Sequence, residues 1–215
     1  MNKPIILIGS GGHAQYLLHI LNQLQRRVIA YVAPQPLPNN LISDISWLDD
    51  DHDALSYDPN EVELVLGIGQ LPKQNIRQKL ITFYQQHNYT FAVVIAPSAK
   101  IMPNVVLGEG VQILEQAFIN HSSDIDVHCI INSNATVEHD SHIGVNCHIA
   151  PGAVVCGGVT IGENSFIGAN ATLIQNITLT SHCIIGAGVT VTEDVIIPSL
   201  IKNVPTSISS LTHKD

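Results

Sequence analysis

The chain has 215 residues, of which 45% are hydrophobic, 13% charged and 5% aromatic. This excludes a disordered chain, which would be rich in charge and poor in aliphatics, and the charged share is about half the roughly 25% usual for soluble domains. The net charge is −9, and none of the nine lysines and arginines falls between residues 101 and 201, which argues against nucleic-acid binding through a basic patch.

The first apolar run, Ile5-Ile6-Leu7-Ile8, is too short for a signal-peptide core and ends in glycines. No stretch approaches the ~18 apolar residues of a membrane span. The expected compartment is the cytoplasm. The four cysteines show no CxxC pairing, so they read as reduced and structural.

Residues 4–9 read as a buried strand, Ser10-Gly11-Gly12-His13 as a turn and 14–25 as a helix. A second strand follows at 27–32, a third at 63–68, a helix near 73–87 and a fourth strand at 91–95. Strand alternating with helix predicts a small parallel, Rossmann-like sheet. Gly9-x-Gly11-Gly12 at a helix start suits a phosphate or sugar ligand, and equally any tight strand-to-helix junction.

From Ile95 onward every sixth residue is Ile, Leu or Val, through Ile101, Leu107 and Ile113 to Ile197. The position four further on is small or apolar. A period of six fits short strands joined by tight corners, three to a turn, each sending one large and one small side chain inward. Six turns at ~4.8 Å make a prism about 29 Å tall. Cys129, Cys147 and Cys183 take the small inward position. Glycines at the corners (Gly108, Gly144, Gly162, Gly168, Gly186) are expected to supply positive φ. Division of the chain at 1–94, 95–202 and a tail at 203–215 follows.

The hexads resemble those of the left-handed parallel β-helix acyltransferases, and the handedness comes from that resemblance. Together with Ile8-Gly9-Ser10-Gly11-Gly12-His13 and the segment Asn134 to Gly144, nearly the whole chain resembles a narrower family. These are the sialic-acid O-acetyltransferases and UDP-4-amino-sugar N-acetyltransferases of glycan biosynthesis, the NeuD/PglD type. The resemblance implies acetyl transfer from acetyl-CoA to a sugar amine or hydroxyl. It also implies a homotrimer with active sites between prisms, and no metal.

Acetyl transfer needs a base, and a neutral histidine suits pH 7. Residues eighteen apart stack, so His139 lies between His121 and Gly157, where a glycine leaves room for a thioester. Asp140 beside it is placed to fix the imidazole tautomer. The resemblance names the same pair, although relatives can carry Glu at the position of Asp140. It also sets His148 against the acetyl oxygen as an N–H donor, from across a trimer cleft. Backbone near Gly157, Ala169 and Ala187 would follow the CoA arm. Gly11, Gly12 and His13 would hold the nucleotide-sugar, with Gly67-Ile68-Gly69-Gln70 as a further wall. Arg77 either serves that pocket or faces water. His121, His128, His142 and His182 read as surface or interface residues.

Two departures stand out. Relatives commonly end in Pro-Ala-Lys near the CoA phosphates, where this chain has Val204-Pro205-Thr206-Ser207. Contacts then fall to backbone N–H groups, Lys202, Lys214 or a neighbour. Ala33-Pro34 replaces an acidic pair near the nucleotide. The expected activity is acetylation of the 4-amino group of a UDP-linked amino sugar. The alternatives are a sugar O-acetyltransferase, a metal-dependent hydratase using three histidines, and a non-catalytic nucleotide-sugar binder.

Overall fold

The computed structural model describes residues 3–36, 45–72 and 74–203. The expected tail therefore lies outside the described residues except for Asn203, as do Val204-Pro205-Thr206-Ser207 and Lys214. Four parallel strands, β1 (Ile5–Ile8), β2 (Val28–Val32), β3 (Ser46–Leu48) and β4 (Glu63–Leu66), form a sheet in the order β3-β2-β1-β4. All four residues of central β1 are buried, because both faces of the strand are covered. Ile5 and Leu7 pack toward α1 (Gly12–Gln23), and Ile6 and Ile8 toward α2 (Ile76–Gln86). α1 buries Ala14, Leu17, Leu18 and Leu21, one stripe at helical spacing.

Two expectations change here. The strand expected at 91–95 does not join this sheet. Phe91 makes a single bridge to Leu64, and Val94–Ile95 pairs with Gln112–Ile113 as the first rung of the following prism. The fourth strand is instead β3, at the edge beside β2, whose three residues are too few and too exposed to announce a strand.

The hexad segment folds as the expected prism. Its strands are two residues long and lie in parallel walls of seven, six and five strands among the described residues. Each rung stacks on the one eighteen residues on, as Ile113 on Ile131 and Ile131 on Ile149. These isoleucines are fully buried, and so are Cys129, Cys147 and Cys183. Ser123, Ser141 and Ser165 share the small inward position. Their hydroxyls donate to the carbonyls of Glu138, Cys156 and Thr180, which removes the cost of burying them.

The corners differ from expectation. Every sixth residue from Asn104 to Gly188 has a φ of 54–69°, but Gly108, Gly144, Gly162, Gly168 and Gly186 are not among them. Of these fifteen left-handed positions six are Asn and four are other glycines (Gly110, Gly152, Gly158 and Gly188), with Asp140, His128 and His182 among the rest. Asn and Asp tolerate that conformation because their short polar side chains bond locally. The five glycines serve close stacking instead. A Cβ on Gly144 would lie 2.8 Å from the carbonyl oxygen of Ile161, and one on Gly108 2.5 Å from the backbone nitrogen of Val127.

The hexad register also slips at the end. Leu179 bridges Val195 and Ile185 pairs with Ile201, both two residues short of the eighteen-residue step. Ile197, expected inside, is 67% exposed.

The α/β unit sits on the outer face of the seven-stranded wall. Leu114 and Ile130 of that wall complete the core on the α1 side of the sheet. Gln112 and His148, polar residues on the same wall, are buried beneath the unit.

Candidate active site

One corner of the prism carries His139 and Asp140. Asp140 occupies a left-handed position with φ 58°, which turns its carboxylate back along the chain. His139 Nδ1 donates to Asp140 Oδ2 at 2.8 Å, so the shorter arm of Asp reaches. With its proton on Nδ1, the imidazole keeps its Nε2 lone pair free to accept a proton. His121, one coil earlier, stacks on the ring at 5.5 Å with the planes 13° apart. On the other side a Cβ at Gly157 would come 2.8 Å from both Cε1 and Nε2, so glycine keeps the Nε2 edge open. Both members of the pair stay about half exposed.

A second group gathers where the α/β unit meets the seven-stranded wall. His13, in the first turn of α1, shares a 2.7 Å hydrogen bond with Gln112, whose amide donates to the carbonyl of Leu66. Burial lowers the His13 pKa, and the Gln112 bond opposes this. Gly11 is the N-cap of α1, with no capping side chain and no acid in the first turn. A Cβ at Gly11 or Gly12 would meet nothing within 4 Å, so packing does not require glycine at either. Gly9, at φ 113°, is the residue whose conformation demands one. Ala33, one of the two residues standing in place of the resembled family's acidic pair, is buried, and its carbonyl accepts from Trp47 Nε1.

His148 belongs to this junction. Its Nδ1 lies 2.9 Å from the backbone oxygen of Gln70, which only accepts, so Nδ1 carries the proton. Its Nε2 then accepts from the Asn132 amide at 3.0 Å. Burial pushes its pKa down to about 4, so the ring is neutral. Both nitrogens are occupied, and none is free to donate to an acetyl oxygen in this arrangement.

Arg77 is neither at the surface nor in water. It is 2% exposed, and its terminal nitrogens donate to the carbonyls of Leu66, Ile68 and His128. Burial lowers its pKa to about 10. His128, expected at the surface, is also buried, edge-on to Phe91, with a pKa lowered to about 4 by burial and by Arg77. His121 and His182 are exposed and His142 is partly so.

Within one chain, then, His139, Asp140 and Gly157 come together, and His13, Gln70 and His148 come together elsewhere. Ala169 and Ala187 stack on each other at a different corner from Gly157, linked by the Gly188 to Ala169 bond. Gln112 and Asn132 were missed from sequence. The only signal was a polar residue beside an inward one, whose meaning depends on the wall being covered.

No curated protein matches the chain in sequence. The PglD N-terminal domain family matches residues 4–83, and the bacterial transferase hexapeptide family (six repeats) matches residues 158–193. Among solved structures, PerB from Caulobacter crescentus, in complex with CoA and GDP-perosamine, is 32% identical, with a TM-score of 0.79 over 89% of this chain and 90% of that one. The chain belongs to the NeuD/PglD-type hexapeptide-repeat acyltransferases. The acetyltransferase domain of PglB from Neisseria gonorrhoeae FA1090 has the same fold at 24% identity, with a TM-score of 0.80 over 92% of this chain and 95% of that one.

As a NeuD/PglD-type protein, the chain is an α/β unit followed by a left-handed parallel β-helix. No helix among the described residues is long and apolar enough to cross a membrane. The hydratase alternative asks for three convergent histidines. His142 and His148, six residues apart in sequence, lie in different walls. The side chains that do converge are Asp124, Asp126 and His142, with ligand atoms within 4.8 Å, a grouping common among exposed acids.

Proposed function

We propose that the chain transfers an acetyl group from acetyl-CoA to the 4-amino group of a nucleotide-linked amino sugar, with His139 as general base. The observation that carries this is the His139-Asp140 pair with its Nε2 edge kept open by Gly157. His139 Nε2 removes a proton from the sugar amine as the nitrogen bonds to the thioester carbonyl carbon. The carbon–sulfur bond then breaks, and the departing thiolate takes the proton from His139. Asp140 holds the Nδ1 tautomer and stabilises the imidazolium between these steps.

On this reading residues 1–94 hold the nucleotide-sugar through Gly11, Gly12 and His13, and 95–202 carry out the transfer in a homotrimer. Backbone near Gly157 on one protomer and near Ala169 and Ala187 on the next would follow the CoA arm, since no single chain brings these three together. UDP is the nucleotide expected from the sequence. The GDP-perosamine bound by the Caulobacter relative makes GDP the first rival.

The test is thiol release from acetyl-CoA with a panel of UDP-, GDP- and CMP-sugars, for the parent and for His139→Ala. The variant should lose roughly 10²-fold or more in kcat while remaining trimeric by light scattering. Near-normal kcat would sink the assignment. Acetylation of a sialic acid in place of any amino sugar would move the acceptor to oxygen with the same base.

A further inference from the structure

The Asp140 bond does not by itself hold the His139 ring still. It anchors one ring nitrogen, at 2.8 Å. The last torsion of a histidine has broad wells, and Asp140, itself more than half exposed, can follow the ring as it turns. On the Gly157 side the ring has no support, because the missing Cβ that keeps the Nε2 edge open also leaves a gap there. A base must be held close to its productive orientation to act, so a stop is needed on the opposite face.

His121 occupies that face. Its ring lies flat on the His139 ring, with centroids 5.5 Å apart and planes 13° from parallel. The two coils are matched residue by residue around this stack. The Asn120 amide donates to the Glu138 carboxylate. Ser122 and Asp140, next on each coil, share the left-handed conformation with φ 59° and 58°. Backbone bonds close the stack on both sides, from Asn120 N–H to the Val137 carbonyl at 2.8 Å and from Asp140 N–H to the His121 carbonyl at 3.2 Å. The Asn120 side chain also accepts from the His121 N–H at 2.8 Å, which fixes where the second ring starts. His121 Nδ1 meets Ser122 Oγ only at a long 3.4 Å. Stacking and backbone place this ring more than polar bonds do.

We infer that His121 is a positioning residue for His139, its flat face setting the tilt that aims Nε2 into the space over Gly157. The inference rests on the acetyl-transfer reading, since His121 acts through the base named there. It assigns His121 no proton to carry and no contact with either substrate.

The test is thiol release from acetyl-CoA, with the sugar that the parent acetylates, for the parent, His139→Ala, His121→Ala, His121→Leu and His121→Phe. His121→Ala should lower kcat about tenfold and leave both KM values unchanged, because orientation of the base matters as the proton moves and not as the substrates bind. His121→Phe restores a flat face without a titratable nitrogen and should recover most of kcat. His121→Leu restores bulk without a flat face and should not. All three should melt with the parent, the position being exposed. Nitrogen NMR at alkaline pH gives a second reading, with the His139 signals identified by their loss in His139→Ala. They should show the Nδ1–H form in the parent and in His121→Phe, and a mixture of tautomers in His121→Ala.

Unchanged kcat in His121→Ala would overturn the inference. So would a loss in His121→Phe as deep as in His121→Ala, which would put the role in the ring nitrogens, or a recovery by Leu as full as by Phe. If His139→Ala is inactive while His121→Ala is not, this inference alone fails. If His139→Ala keeps near-normal kcat, the acetyl-transfer reading fails and this inference with it.

Discussion

At the scale of single residues, Asp140 combines two demands. It must hold a left-handed φ of 58°, and it must present a carboxylate to His139 Nδ1 at 2.8 Å. Asn meets the first demand and not the charge of the second. Asp140→Asn should therefore keep the parent's melting temperature and lower kcat by about tenfold or more, measured by thiol release. The resemblance made the His139-Asp140 pair legible in sequence, because both residues lie side by side in a short motif. His148 was legible as a position and its surroundings were not. Its two hydrogen-bond partners, Gln70 and Asn132, are set by where the α/β unit docks, and no local pattern encodes that. Arg77 was left open between the pocket and water for the same reason: an arginine in a helix normally faces water, and only the docked wall supplies the carbonyl of His128 that holds it inside.

At the scale of elements, the prism was readable because one rule repeats. Ile113, Ile131 and Ile149 occupy equivalent places, so the evidence accumulates along the chain. The corner glycines were misread because two needs for glycine look alike in sequence. One is a left-handed φ, the other the absence of a Cβ under the next coil. Gly144 is of the second kind, with the Ile161 carbonyl 2.8 Å from where a Cβ would sit. Gly144→Ala should thus lower the melting temperature by several degrees, whereas Asn104→Gly, at an exposed corner with φ 61°, should be nearly neutral. Thermal melts of the two variants side by side check this.

At the scale of the whole molecule, the two units are joined through buried polar groups, and that makes the joint sensitive to acid. His128 and His148 have pKa values lowered to about 4, from an ordinary 6.5 in the unfolded chain. Above about pH 6.5 both forms are neutral and the full stability is present. Between about 6.5 and 4 the unfolded chain binds protons that the folded one refuses, so stability falls as the pH falls. Each histidine contributes on the order of 3 kcal/mol to that loss. Urea titrations from pH 7 to pH 4 should show a falling midpoint, with a shallower fall for His128→Gln.

The missing cations lead to a second expectation at this scale. With no Lys or Arg between 101 and 201, few exposed cations are at hand for the CoA phosphates, so little of the binding would rest on charge that salt can screen. CoA affinity measured from low to moderate salt should change only slightly. A steep fall would show a cluster of exposed cations at work.

The stacking of identical coils has a further consequence for how such a chain changes over generations. An insertion inside the prism is silent only when it adds a whole coil, because any other length rotates each later wall past its neighbour. The two-residue slip after Leu179 falls where few of the described residues are stacked below it. The prism is thus open to editing at its free end and closed to it near His139. Changes of length are tolerated best at the foot of the molecule, while the corner that carries His139 keeps its address.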